Sequence, residues 1–204
     1  MTPLVVLAQA SGEESKLWWH LARSSGIVAW ALAALAVLWG VALATRALGR
    51  RPQAPWLLAV HRFLGLLCIV FVGVHLVALY LDPFIKYGLE DLFVPLASSW
   101  KPVAVAWGVV AFYLLVAVEI TSLLRQRMPA RLWRGIHLTS YVMYVLATVH
   151  LLTAGTDRTN PVMLGSVMAT VAVTLFFLAY RVVGPGRAAS VRSSTSSSTP
   201  TRVG

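Results

Sequence analysis

The chain has 204 residues, of which 58% are hydrophobic and only 12% are charged, and its formal net charge is +10. About a quarter of the residues of a soluble domain are charged, so this composition excludes an ordinary soluble fold and indicates a membrane protein. The single cysteine, Cys68, excludes an intrachain disulfide, a cysteine zinc cluster and covalent c-type haem attachment.

Five apolar segments follow one another along the chain, each long enough to cross a hydrocarbon core of roughly 30 Å. Because a backbone in lipid must satisfy its own hydrogen bonds, we expect all five segments to be helices. The predicted fold class is therefore all-α, an integral membrane bundle of about five transmembrane helices. The segments cover residues 26–48, 56–81, 103–124, 132–152 and 162–183.

Arginine is concentrated in the connections after the first and third segments and in the tail. The positive-inside rule therefore predicts a multi-pass protein of the plasma membrane with its N-terminus outside and its C-terminus inside. The same rule accounts for the basic charge without a nucleic-acid partner. We expect an extracytoplasmic segment over 1–24, the membrane domain over 25–183 and a Ser-, Thr- and Gly-rich disordered cytoplasmic tail over 184–204.

The longest external connection has an apolar pattern that predicts a short amphipathic helix lying on the membrane surface. We interpret this helix as a cover for the bundle rather than as a substrate lid. Its apolar residues are Phe84, Ile85, Leu89, Leu92, Phe93 and Leu96.

Four of the five histidines lie inside apolar segments, as two spaced pairs. His61 and His75 are on the second segment, and His137 and His150 are on the fourth. An imidazole in hydrocarbon is costly and indicates function. The two helices run in the same direction, so His61 should match His137 in depth and His75 should match His150. We therefore predict two haems stacked across the membrane, each held by one histidine from each helix.

The rotation of the histidines around each helix is less regular than their depth. At about 100° per residue, the fourteen-residue interval leaves His61 and His75 about 40° apart, on one face of the helix. The thirteen-residue interval leaves His137 and His150 about 140° apart. The fourth helix must be overwound, be strongly tilted or approach the two rings from different flanks. Three glycines could make room for a flat ring or allow helices to pack closely, namely Gly65, Gly73 and Gly135.

Three arginines are candidates for binding haem propionates, because a guanidinium binds a carboxylate with two hydrogen bonds. Arg62 and Arg134 lie beside the cytoplasmic histidines, and Arg23 lies at the outer side. The alternative for Arg62 and Arg134 is that they are topological anchors that reach the membrane surface. Glu119, near the cytoplasmic end of the third segment, is a candidate ion-pair partner for arginines on that side.

The histidine spacing resembles that of the ferric reductase-like transmembrane domain. Thirteen residues separate His61 and His75, in a motif that begins His61-Arg62-Phe63-Leu64-Gly65, and twelve separate His137 and His150 two helices later. The resemblance extends over residues 17–183. Its superfamily includes NADPH oxidases, yeast-type ferric reductases and a bacterial membrane subunit of the methionine sulfoxide reductase system. The family core often has six spans, whereas five are predicted here.

The resemblance implies two b-type haems with bis-histidine ligation and outward electron transfer. His61 and His137 would bind the inner haem, and His75 and His150 the outer one. No G-x-G-x-x-G motif is present, so we expect no built-in flavin or NAD(P)H site and a separate reductase or quinol as electron donor. The predicted function is that of an oxidoreductase subunit that passes electrons to an external acceptor. The alternatives are a membrane anchor and a proton-relay or transport protein without haem.

Overall fold

The computed structural model describes residues 3–45 and 55–183, with side chains described over 16–45 and 55–179. The arginines of the first predicted cytoplasmic connection, Arg46, Arg50 and Arg51, and the predicted tail over 184–204 lie outside the described residues.

The described chain is helical, with no strand in either described range. Four of its helices begin with proline, whose fixed φ and missing N–H suit the first turn of a helix. The elements in chain order are α1 (Pro3–Thr45), α2 (Pro55–Leu81), α3 (Leu89–Phe93), α4 (Pro102–Leu123), a 3-10 turn (Arg125–Arg127), α5 (Ala130–Ala154) and α6 (Pro161–Val183).

Within the described ranges, five helices are long and apolar enough to cross a membrane, which confirms the predicted fold class of a multi-pass helical membrane protein. Four of the five predicted segments match a helix to within a few residues at each end. The apolar spans are Lys16–Thr45, Pro55–Leu81, Pro102–Leu123, Ala130–Ala154 and Pro161–Ala179.

The start of α1 differs from the prediction. The helix begins at Pro3 rather than near residue 26, so the expected boundary between residues 24 and 25 falls inside a continuous helix. Ala, Leu, Glu and Lys, which favour helix, are frequent in the residues that precede the predicted span. Ser24, Ser25 and Gly26, which are compatible with the start of a helix, lie inside the helix instead.

The connection between α2 and α4 also differs from the prediction. The expected surface helix over its apolar residues is reduced to the five residues of α3. Leu92 is buried there, but Phe84 is 82% exposed. Asp82 accepts a hydrogen bond from the Phe84 backbone N–H at 2.8 Å, which turns the chain before a longer helix begins. Pro95 lies just after α3 and cannot donate a helical hydrogen bond.

The bundle is built from two antiparallel helix pairs, α1 with α2 and α4 with α5, and α6 packs against α1 and α5. Polar side chains join these helices across apolar surroundings. The Trp30 indole N–H donates to the Thr148 hydroxyl at 3.0 Å, and the Tyr144 hydroxyl donates to Thr170 at 3.0 Å. In lipid such bonds hold helices in register, because apolar contact with a neighbour is little better than contact with lipid.

Candidate functional site

The four intramembrane histidines lie as two pairs between α2 and α5. The ring centroids of His61 and His137 are 6.0 Å apart, and those of His75 and His150 are 6.4 Å apart. The ring planes within these pairs are inclined at 75° and 81°. We call them the 61/137 pair and the 75/150 pair. α5 is α-helical throughout, so the thirteen-residue interval is accommodated without a break in the helix.

Both histidines of the 75/150 pair are oriented by backbone carbonyls of neighbouring helices. His75 Nδ1 donates to the Ala22 carbonyl of α1 at 2.7 Å, and His150 Nδ1 donates to the Ala104 carbonyl of α4 at 2.8 Å. A proton on Nδ1 leaves the Nε2 lone pair as the donor to a metal. This is the arrangement in which metal-binding histidines are usually found.

The 61/137 pair has different neighbours. His137 Nδ1 lies 3.5 Å from the Ser122 hydroxyl, and Trp133 stacks on the His137 ring with centroids 5.0 Å apart and planes at 21°. His61 Nδ1 is buried without a hydrogen bond of normal geometry among the described residues.

A cavity of about 250 Å³ contains the 75/150 pair. It lies among α1, α2, α4 and α5 and is closed at one end by the α2–α4 connection. Its lining includes Trp30, Cys68, Tyr87, Trp100, Leu115 and Met143. Burial raises the pKa of Tyr87, in the connection, to about 12, so its phenol is neutral at physiological pH. The cavity thus offers a mostly apolar slot with imidazoles on opposite walls.

Arg23 lines this cavity, at the end of the bundle that holds the 75/150 pair. Its guanidinium forms an ion pair with Asp157 and lies 5.0 Å from the centroid of the Trp19 ring. Lys101, which the sequence analysis did not select, lies at the same end of the bundle, 4.7 Å from the Trp100 ring. Two cations therefore flank the cavity end, each supported by an indole ring.

An apolar layer separates the two histidine pairs. One residue from each of four helices forms its centre. On α2 and α5 this residue lies six or seven residues from each of the two histidines of its own helix. Ala33, Cys68, Leu115 and Met143 belong to one buried cluster. The Cys68 thiol donates to the Ala29 carbonyl at 3.4 Å, so it is part of the packing. No charged side chain belongs to this cluster, and its four central residues also line the cavity.

The remaining candidates from the sequence have less direct positions. Arg62 and Arg134 are exposed, and neither forms an ion pair within the described part of the chain. Glu119 forms no ion pair with an arginine among the described side chains, and Arg46, Arg50 and Arg51, which belong to the same predicted cytoplasmic side, lie outside them. Its carboxylate lies against Gly65 instead. His20 is exposed and packs edge-on against Trp19 at 4.8 Å.

The glycines selected from the sequence do not line the histidine pairs. A Cβ added to Gly73 or Gly135 would meet nothing within 4 Å. The glycines that contact histidines are Gly26, Gly40 and Gly108, on α1 and α4. A signal for them was present in the sequence, because Gly26 and Gly40 have the same fourteen-residue interval as His61 and His75.

These features define a class of helical membrane protein with paired histidines between its helices, and comparison with known families identifies the class. Residues 25–148 match the family model described as ferric reductase like transmembrane component. This region covers more than half of the chain, and the chain belongs to that family. The match confirms the family resemblance predicted from the histidine spacing.

Curated relatives carry one shared name, protein-methionine-sulfoxide reductase heme-binding subunit MsrQ. The protein from Salmonella dublin is 28% identical over 136 residues, which cover 66% of this chain and 65% of that protein. The protein from Cronobacter sakazakii is 31% identical over 106 residues, which cover 52% of each chain. The matched regions thus span between about half and two thirds of these relatives. No solved structure matches the chain.

Proposed function

We propose that the chain is a di-haem b protein that carries electrons across the membrane. His61 and His137 would be the axial ligands of one haem, and His75 and His150 those of the other. The observation that carries the proposal is the pairing of four imidazoles across α2 and α5 at two depths. The names of the relatives, which describe heme-binding subunits, support the choice of cofactor.

The ring separations support iron between each pair of histidines. A metal bound to histidine lies about 2.0–2.1 Å from the ring nitrogen, so two imidazoles on opposite sides of one iron have centroids roughly 6 Å apart. The pairs have separations of 6.0 and 6.4 Å. The observed centroid separations are therefore close to the value expected for two imidazoles on one iron.

The number of donors supports a porphyrin over a bare metal ion. Structural zinc sites use four protein ligands and catalytic ones use three. The described residues contain no group of three or more His, Cys, Asp or Glu side chains suited to a metal. Two imidazoles per site fit a macrocycle that supplies four nitrogens itself, and six-coordinate iron favours electron transfer over oxygen binding.

The protein's own contribution is to hold the haems, to orient their histidine ligands and to surround the two sites with apolar side chains. When bound, haem supplies reversible one-electron chemistry. The carbonyls of Ala22 and Ala104 accept the Nδ1 protons of His75 and His150, which would leave Nε2 free to bind a metal. The apolar cluster around Cys68 and Met143 would disfavour entry of water and protons between the two sites.

The direction of transfer follows from the arginine distribution. The end of the bundle with Arg125, Arg127, Arg131 and Arg134 would be cytoplasmic, which makes the 61/137 site the inner one. The N-terminal 1–24 would then be extracytoplasmic, 25–183 the haem-binding domain and 184–204 a cytoplasmic tail. A separate reductase or a quinol would reduce the inner haem, and an external acceptor or partner protein would oxidise the outer one.

Spectroscopy of the purified protein tests this proposal. Expressed with sufficient haem and purified in detergent, the protein should give a b-type reduced-minus-oxidised spectrum and two haems per chain in a pyridine haemochrome assay. A folded protein that remains colourless would instead support a membrane anchor or a proton-relay protein and would remove the di-haem proposal.

A further inference from the structure

Three of the four paired histidines face a glycine on the antiparallel neighbouring helix. A Cβ on Gly26 would lie 3.0 Å from His75 Nδ1, and one on Gly40 would lie 3.1 Å from His61 Cε1. A Cβ on Gly108 would lie only 2.7 Å from His150 Nδ1. A Cβ this close would require the imidazole to shift. Each glycine therefore leaves a space that the imidazole occupies.

The gap gives the imidazole access to a carbonyl one turn earlier. In an α-helix the carbonyl of residue i lies beside residue i+4, to whose N–H it is bonded. Ala22 precedes Gly26 by four residues, and Ala104 precedes Gly108 by four. The carbonyls of Ala22 and Ala104 are the ones that accept the Nδ1 protons. His61, beside Gly40, has the same gap but no hydrogen-bond partner for Nδ1 among the described residues.

The fourth position breaks the pattern. Fourteen residues after Gly108, where α4 passes His137, the residue is Ser122. Its hydroxyl lies 3.5 Å from His137 Nδ1, at the long limit of a hydrogen bond. Trp133 covers one face of the same ring. His137 therefore meets a serine at the position where the other three histidines meet a glycine, and two of those three, His75 and His150, also bond a carbonyl.

We propose that Ser122 is a positioning residue that keeps His137 from a backbone carbonyl and thereby raises the reduction potential of the 61/137 haem. The proposal rests on the di-haem function proposed above. A strong acceptor on Nδ1 makes the imidazole a better donor to iron and stabilises the ferric form. A hydroxyl at 3.5 Å is a weak acceptor, so the ferric form at the 61/137 site gains less stabilisation from His137.

Redox titration of Ser122 variants tests the proposal. Ser122→Gly opens the gap toward the Val118 carbonyl and should shift the midpoint of the 61/137 haem to a more negative value. Ser122→Ala keeps the Cβ and removes the hydroxyl, so its midpoint should shift to a more positive value. Ser122→Thr restores a hydroxyl and should titrate like the unchanged protein. All three should retain two haems per chain in the haemochrome assay.

Two controls assign the effect to its site. The same changes in a His75→Leu background, which is expected to keep only the 61/137 haem, identify which transition moves. The reciprocal change, Gly108→Ser, should displace His150 from the Ala104 carbonyl and shift the midpoint of the other haem in the positive direction. Gly73→Ala, at a glycine with no neighbour within 4 Å, should leave both midpoints unchanged.

The possible outcomes distinguish the proposed role of Ser122 from the proposed di-haem function. Two haems per chain with midpoints unchanged in Ser122→Gly and Ser122→Ala would overturn the role of Ser122 and leave the di-haem function standing. A shift of the 75/150 haem alone would overturn it as well. Absence of haem from the unchanged, folded protein would remove both proposals together.

Discussion

At the scale of single residues, the two histidine pairs differ in what holds their rings. His75 and His150 are tied to carbonyls by hydrogen bonds of 2.7 and 2.8 Å. His137 is held by a stacked indole and a distant hydroxyl. Unequal surroundings of this kind are how a protein gives two chemically identical cofactors different properties.

Replacing one histidine should remove one haem. In His75→Leu the 75/150 haem loses an axial ligand, so the haem content should fall from two to one per chain in the haemochrome assay. His20→Leu is the matched control, because His20 is exposed and lies outside both pairs. If His61, His75, His137 and His150 can each be replaced with two haems retained, the ligand assignment is wrong.

Arg23 allows a second test at the residue scale. Its ion pair with Asp157 is partly exposed, and such pairs contribute about 0.2–1 kcal/mol. Asp157→Asn should therefore lower the free energy of unfolding by no more than about 1 kcal/mol, measured by thermal or chemical denaturation in detergent.

Arg23→Gln should have an additional effect if Arg23 also binds a haem carboxylate. Hydrogen bonds to charged groups contribute about 1.5–3 kcal/mol, so the 75/150 haem should be retained at least about tenfold more weakly in competition with apomyoglobin. Equal haem retention in Arg23→Gln and Asp157→Asn would restrict Arg23 to its ion pair.

At the scale of elements, each ligand helix is supported by its antiparallel neighbour. α1 faces the histidines of α2 with Gly26 and Gly40, and α4 faces those of α5 with Gly108 and Ser122. The fourteen-residue interval recurs because four turns of an α-helix take about 14.4 residues. A supporting helix that meets two sites on one face must therefore repeat its contacts at nearly that interval.

Closing one of these gaps should damage one site only. Gly26→Leu places a branched side chain where His75 lies and should reduce the content or stability of the 75/150 haem while the 61/137 spectrum persists. Gly73→Leu is the matched control, since Gly73 is exposed on α2 and its added Cβ meets no neighbour within 4 Å. Equal loss of haem in both variants would show that a leucine anywhere in these helices is harmful and would contradict the gap.

At the scale of the whole molecule, the five spans found among the described residues would place the two ends of the described chain on opposite sides of the membrane. An apolar cluster lies between the two histidine pairs. Under the proposed function, the membrane orientation decides which pair receives electrons, and the arginines after α4 are the sequence signal for it.

Reporter fusions test this orientation. Green fluorescent protein inserted in the connection after α4, near Arg127, should fluoresce, because that connection is expected in the cytoplasm. Alkaline phosphatase inserted near Arg158, between α5 and α6, should be active, because that connection is expected outside. The exchanged fusions are the controls. Phosphatase activity near Arg127 would invert the assignment of inner and outer sites.

The sequence alone predicted five helices, the family and the partner of each histidine by depth. These properties depend on one dimension, the position along the membrane normal, which residue counting and hydropathy define directly. Neither the family nor the helix count required knowledge of how any helix is rotated. The start of α1 was missed because the segment before the apolar run is helical for its own local reasons, independent of the membrane.

The tertiary structure decided everything that depends on rotation about a helix axis. It selected Gly26, Gly40 and Gly108 as the glycines against histidines, and it left Gly73 and Gly135 without neighbours. It also paired Arg23 with Asp157, 134 residues away. In lipid, apolar faces toward neighbours and toward acyl chains are chemically alike, so the hydrophobic pattern of a span does not reveal its rotation. Only packing against the other helices determines which side chains meet.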